Sequence, residues 1–304
     1  MASTIFNIEG GLGKHIASTA VIKAYKKQHK DRKIIVVGAW PEVFLRNNDV
    51  TRFYRQGNVP YFYEDFIFNK KDLEIFAQDP YRQKNHITKK THLIKTWCDM
   101  IGVKYNHEPL ELNFNIRELE EANTIVHQLL EPVRSNGKPL LIFQPFGGPG
   151  PPAQQNNYSW TRDLHPNVAQ HIVDQLKDKY NILHICYEFH PALNNVIRFH
   201  NVISKKVLCA MLHSSQKRLF VDSSLQHAAA AMNLPSTVVW VATQHKIFGY
   251  GVHDNIEPQS QNLKGTVDSY LYDYSFNGVT HECPYNDVNK IHKIDDIIAS
   301  VNKS

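Results

Sequence analysis

Cysteine is scarce in this 304-residue chain, and Cys98, Cys186, Cys209 and Cys283 form no C-x-x-C pair. That excludes a cysteine-built zinc cluster and fits a protein kept reduced, so a cytoplasmic location is expected. No run of eighteen apolar residues exists, so no helix is expected to span a membrane. The opening MASTIFNIEGG has no basic start and reads as a first strand, not as a secretory leader. The 17 histidines are scattered, without recurring metal-type pairs beside carboxylates, so no metal site is expected. Acid is thin in the first third. Residues 1–100 carry 17 Lys/Arg against 10 Asp/Glu, a net of +7 within an overall charge of +5. Such a bias either steers an anionic partner or marks a lysine-rich solvated surface.

The apolar content of 42 % with 21 % charged residues is that of a globular chain, long enough for two domains. Short apolar runs alternate with amphipathic stretches, the pattern of βαβ units and parallel sheets. Strands are predicted at 4–8 and 33–37, with a helix at 14–29 between them. Residues 117–133 place acid in the first turn and apolar side chains at three-to-four spacing, which predicts a helix. The polar run 134–139 then reads as a linker, giving domains 1–133 and 134–304. The second series predicts strands at 140–146, 181–186, 217–221 and 237–241, and helices at 166–178, 205–213 and 224–232. A Gly/Pro-rich loop at 147–160 interrupts it, and 255–290 is irregular and aromatic. The fold class is α/β: two Rossmann-like doubly wound domains, whose ligands are expected in a cleft at the carboxyl ends of the sheets.

Two stretches carry chemistry. The first, EGGLGKHIAST at 9–19, follows the first strand and opens the first helix. Its glycines allow close backbone approach, and the helix start offers N–H groups to an anion. It is not a nucleotide P-loop, because Ile8 stands where glycine is needed and His15 replaces Ser/Thr. It is not the dinucleotide fingerprint either, because Ile16 occupies the third glycine position. The second, FVDSSLQHAAAAMNLPSTVVWVAT at 220–243, puts Asp222, Ser223 and Ser224 at a strand-to-helix junction. There they can cap the helix or share its N–H groups with a diphosphate. His227 lies on the same helical face. By local physics alone this is a capped helix start bearing a histidine.

This second stretch resembles the C-terminal signature of the bacterial heptosyltransferase-like glycosyltransferases, D-[TS]-G-x-x-H-x-A-A-A followed by x-P-[TS]-V-x-L-x-x-x-T. Asp222, Ser223, His227, Ala229, Ala230, Pro235, Val238 and Thr243 fit it, and Ser224 replaces the glycine. The glycine loop, the strand at 141–148, and Trp160, Arg162 and Pro166 are similar to the family's layout. The resemblance implies a GT-B fold and an inverting, metal-independent transfer from a nucleotide-diphosphate sugar, which is co-substrate; no cofactor is implied. It implies donor contacts from Asp222, Ser223, Ser224 and His227, from Glu188 toward the nucleoside, and from Arg162 toward phosphate. The glycine loop would add Gly11, Leu12, Gly13 and Lys14.

The family's aspartate after the glycine, taken as its general base, is Lys14 in this chain. A lysine there suits phosphate better than proton abstraction. The local candidates for the catalytic base are then Glu9 and His15. The stretch YRQKNHITKKTHLIKTW at 81–97 has five Lys/Arg and no acid. Arg82, Lys84, Lys89 and Lys90 form either an acceptor patch for a polyanion or the solvated face of a helix near 88–101. The acceptor is expected to be anionic, a lipopolysaccharide-type glycan or alternatively a hydroxylated base in DNA. A non-catalytic sugar-nucleotide- or DNA-binding protein and a nucleotide-sugar epimerase are the remaining readings.

Overall fold

The computed structural model describes residues 2–147, 158–200, 203–264 and 283–303. Most of the loop expected at 147–160, and half of the irregular stretch at 255–290, lie outside the described residues. The chain divides into two compact units, Met1–Phe114 and Asn115–Ser304, each built on a parallel sheet.

The first unit contains β1 (Ser3–Ile8), α1 (Leu12–Gln28), β2 (Lys33–Gly38), β3 (Arg52–Arg55), α2 (Phe62–Phe66), β4 (Leu73–Phe76), α3 (Lys84–Ile87) and α4 (Leu93–Met100). Its strand order is β3-β2-β1-β4. The central β1 is apolar on both faces, with Ile5, Phe6 and Ile8 buried, as a parallel strand covered from both sides requires. The edge strand β3 instead exposes Arg52 and Arg55, which discourages pairing with another chain. Helix α1 starts two residues before the predicted position and buries nearly everything from Leu12 to Tyr25, polar residues included. Ser18 and Thr19 survive there because their hydroxyls donate to the carbonyls of His15 and Ile16, at 2.7 and 2.6 Å.

The second unit contains α5 (Ile116–Leu130), β5 (Leu140–Gln144), α6 (Pro166–Leu176), β6 (Asn181–Ile185), β7 (Ile197–Phe199), α7 (Lys205–Ala210), β8 (Lys217–Val221), α8 (Ser224–Ala231), β9 (Thr237–Val239), α9 (His245–Phe248), β10 (Asp254–Ile256) and α10 (Ile294–Lys303). The sheet order is β10-β9-β8-β5-β6-β7. Counted from β5 within the unit, this is 3-2-1-4-5-6 read in reverse, the order of dinucleotide-binding folds. Phe143, Leu219, Val221 and Val239 of the sheet form one core with Ile172 of α6 and Ile297 and Val301 of α10.

The division falls at 114/115, whereas the sequence suggested 133/134. Helix α5 therefore goes with the second unit. Its start is closed by a capping box in which Asn115 and Glu118 satisfy one another's backbone N–H groups. It packs on α7 and on the 3-10 turn Met211–Ser214. Glu118 also pairs at 3.6 Å with Lys206, a lysine buried in α7. Those partners lie some ninety residues downstream, so local composition points to the polar run at 134–139 instead.

Candidate active site

In the second unit the strand order reverses between β5 and β8, and the carboxyl ends of these two strands flank the position where such folds bind ligands. Gln144 ends β5, while Asp222, Ser223 and α8 follow β8. Ser223 occupies the N-cap position of α8, but its side chain makes no cap hydrogen bond. Its hydroxyl instead donates to Gln144 Oε1 at 2.6 Å, tying the two strand ends together. The sequence suggested a cap or a diphosphate contact for this serine; the bond to Gln144 at the end of β5 was not foreseen. No acidic residue lies in the first turn of α8. The positive end of the helix is thus uncapped by a side chain and uncompensated by a carboxylate within that turn. His227, also buried, has Nδ1 2.7 Å from the Tyr250 hydroxyl, which fixes the ring plane.

Two buried carboxyls sit beside this helix start. Burial pushes Asp163 up to about 6, against the pull of the Gly147 and Ser159 N–H groups and of Arg162. Those N–H groups donate to its two oxygens at 2.7 and 2.8 Å. Asp222 is likewise raised by burial, with Arg162 and Thr243 opposing. Arg162 is half-buried and acts on both carboxyls. Gly147 leaves little room for a side chain: a Cβ would stand 3.2 Å from the Asp222 carbonyl. Glu188 is exposed in the turn after β6. Arg198 braces that turn from β7 by donating to the carbonyls of Tyr187, Glu188 and His190. Ser224 is half-exposed at the first position of α8. Gln144, Asp163 and Tyr250 were not visible as site residues in the sequence. Asp163 had a signal, its place next to Arg162; Tyr250 had none.

In the first unit the reversal lies between β1 and β4, and the glycine loop follows β1. Gly10 has φ +101°, which a side chain would strain, and a Cβ there would meet Lys14 Cδ at 3.3 Å. Gly11 is the N-cap of α1 and has no side chain to offer, while Leu12 is buried at the first helical position. Gly13, one position on, is half-buried, and Glu9 is exposed. His15 is enclosed: Nδ1 donates to the Gly11 carbonyl at 3.0 Å, and Nε2 accepts from the Trp40 N–H at 3.4 Å. Burial lowers its pKa to about 4, so the ring is a neutral brace inside the turn with both nitrogens engaged. Gly38 gives it space, since a Cβ there would overlap His15 Nε2 and stand 3.1 Å from the Ile8 carbonyl. Gly38→Ala is therefore expected to destabilise the fold by about 2 kcal/mol. A urea midpoint equal to wild type would refute this account of the brace.

Lys14 does not present its charge to solvent. Its Nζ donates to Asp79 Oδ1 at 2.8 Å and lies over the rings of Tyr81 and Trp97, 4.9 and 5.7 Å from their centroids. Its partner lies 65 residues away in sequence. Of the basic patch, Arg82, Lys84 and Lys90 are exposed, but Lys89 is buried and so leaves the surface set. Helix α4 turns Leu93, Ile94 and Trp97 inward, as the helical reading of that stretch required. Among the described residues no group of three or more His, Cys, Asp or Glu could hold a metal ion. No helix there is long and apolar enough to cross a membrane.

These two parallel sheets, each with its polar loops gathered at a strand reversal, define an α/β protein of two Rossmann-like units. No protein-family model matches the chain, and no curated protein does. Solved structures do match. A glycosyl transferase of family 9 from Veillonella parvula superposes with a TM-score of 0.65 at 12 % identity, covering 99 % of this chain and 96 % of that one. The ADP-heptose lipopolysaccharide heptosyltransferase II of E. coli gives 0.61 at 10 % identity, over 100 % and 99 % of the two chains. The iron-containing dodecameric glycosyltransferase TibC of enterotoxigenic E. coli gives 0.64 at 11 % identity, over 99 % of this chain and 76 % of that one. At such identities the likeness is one of fold, and the fold is that of the heptosyltransferase-like glycosyltransferases.

Proposed function

We propose that the protein is a glycosyltransferase moving a sugar from a nucleoside diphosphate sugar to a hydroxyl of an anionic acceptor, with inversion and without a metal. The carrying observation is the start of α8. A helix end without a side-chain cap stands at the reversal of a sheet with dinucleotide-fold order, with His227 and Arg162 beside it. Backbone N–H groups and the helix dipole would take the diphosphate, and the charge growing on it as the sugar leaves would be met there. Glu188, on its braced turn, would receive the nucleoside. In this reading donor binding falls to the second unit and the acceptor to the basic first unit. The neighbours' use of ADP-heptose makes ADP-sugars the first donors to try.

The test is thermal unfolding with ADP, UDP, GDP or pyrophosphate added. One nucleoside diphosphate at a hundred times its Kd should stabilise the fold by about 2.7 kcal/mol, a rise of several degrees in Tm. If no diphosphate moves Tm, the donor site is wrong. For the acceptor, exposed Arg82, Lys84 and Lys90 suit a phosphorylated glycan of lipopolysaccharide type. Duplex DNA with hydroxylated bases is the second acceptor to assay, and it requires retention that falls steeply with salt.

A further inference from the structure

We infer that Asp79 is the carboxylate that takes the acceptor's proton, with Lys14 as its fixed counter-ion; this rests on the transferase reading above. Such a transfer needs a proton acceptor, and the glycine loop supplies a lysine where an acid was expected. His15 is sealed with both nitrogens engaged. Glu9 is exposed and makes no hydrogen bond among the described residues, so nothing holds its carboxylate to one geometry.

Asp79 differs on each count. It follows β4, whose carboxyl end lies beside that of β1 at the reversal of the first sheet. Its Oδ1 accepts two hydrogen bonds, from Lys14 Nζ at 2.8 Å and from the Tyr81 N–H at 3.0 Å. Its Oδ2 accepts none among the described residues. The Asp79 side chain is 37 % exposed and that of Lys14 only 5 %, so the cation is buried beneath the Tyr81 and Trp97 rings while the carboxylate faces out. The pair presents one oxygen in a fixed plane, the preorganisation that makes a positioned base effective.

In the step this assigns, the acceptor hydroxyl oxygen forms a bond to the anomeric carbon while its proton passes to Asp79 Oδ2. The bond from the anomeric carbon to the diphosphate oxygen breaks, and its electron pair leaves with the nucleoside diphosphate. No oxidant, reductant or further reactant is needed.

Asp79→Asn keeps an oxygen for the Tyr81 N–H and Lys14, so the turn should survive. The assay is nucleoside diphosphate release from ADP-, UDP- and GDP-sugars with a phosphorylated lipopolysaccharide-core acceptor, alongside calorimetric binding of the matching nucleoside diphosphate. We expect Asp79→Asn to lose roughly 10²- to 10⁴-fold in kcat. The nucleoside diphosphate Kd should stay within about twofold, and Asp79→Glu should restore part of the rate. Wild-type turnover in Asp79→Asn, or a loss confined to Glu9→Gln, would overturn the assignment and leave the transferase reading standing. Failure of the wild type to turn over any donor would instead remove the transferase reading, and this assignment with it.

Discussion

Lowering the pH from neutrality toward 4 is expected to unfold both units, driven by histidines buried in the neutral form. His15 and His86 in the first unit, and His253 and His292 in the second, are pushed down to about 4, and His184 to about 3, burial being the largest cause in each case. In the unfolded chain they would titrate at the ordinary 6.5. Between 6.5 and about 4 the unfolded state therefore binds more protons, and stability present above 6.5 is lost as the pH falls. At about 1.4 kcal/mol for each tenfold difference in proton affinity, each histidine contributes roughly 3 kcal/mol. Five together rival the ~5–15 kcal/mol that holds a protein folded. Asp163, raised to about 6, works in the opposite direction by about 3 kcal/mol, and buried Asp222 shares its sign. The histidines prevail by number. Circular dichroism against pH should show cooperative loss of structure inside that window. His184→Leu should shift the midpoint down. Among the described residues neither ring nitrogen of His184, beside Phe143 and Phe146, has a hydrogen-bond partner, and an apolar side chain would remove that cost of about 1–3 kcal/mol. An unmoved midpoint would show that His184 is not a buried neutral group.

Removing Ser223 and His227 together should impair donor use severely. Ser223→Ala breaks the link to Gln144 that sets the helix start against β5, and His227→Ala empties the position fixed by Tyr250. The expected loss in kcat is about 10²- to 10³-fold, the usual consequence of deleting stabilisation of a developing anion. Nucleoside diphosphate affinity should weaken tenfold or more, about 1.4 kcal/mol. Stability should drop by roughly 3 kcal/mol, for the hydrogen bonds lost at Gln144 and Tyr250 and the space left by the buried imidazole. Turnover matching wild type in a folded double variant would displace the donor site from α8.

The candidate site at the start of α8 was legible in the sequence because its parts are local. β8, the turn at Asp222 and Ser223, and α8 follow one another without interruption, and buried parallel strands such as β5 and β8 announce themselves as continuous apolar runs. The strands that escaped notice, β3, β4, β7 and β10, are three or four residues long, and each carries arginine, aspartate or glutamate. What no local reading could supply was partnership. Nothing near Lys14 in the sequence announces Asp79, 65 residues on, as its ion-pair partner. His227 reads as a surface histidine until Tyr250 reaches its ring. Helix α5 was recognised from its period, but its membership was decided by α7, far downstream.

The division at 114/115 is a single crossing of the chain: everything before it belongs to one sheet and everything after it to the other. The second unit is therefore one uninterrupted stretch of gene with its own core, sheet and candidate nucleotide site. On the proposed transferase reading, a single junction between Phe114 and Asn115 would exchange the candidate donor unit while keeping the first unit whole. Chimaeras joined there carry the Asn115 capping box intact, whereas a junction at 133/134 would strand α5 from α7 and leave the incoming unit without its first helix.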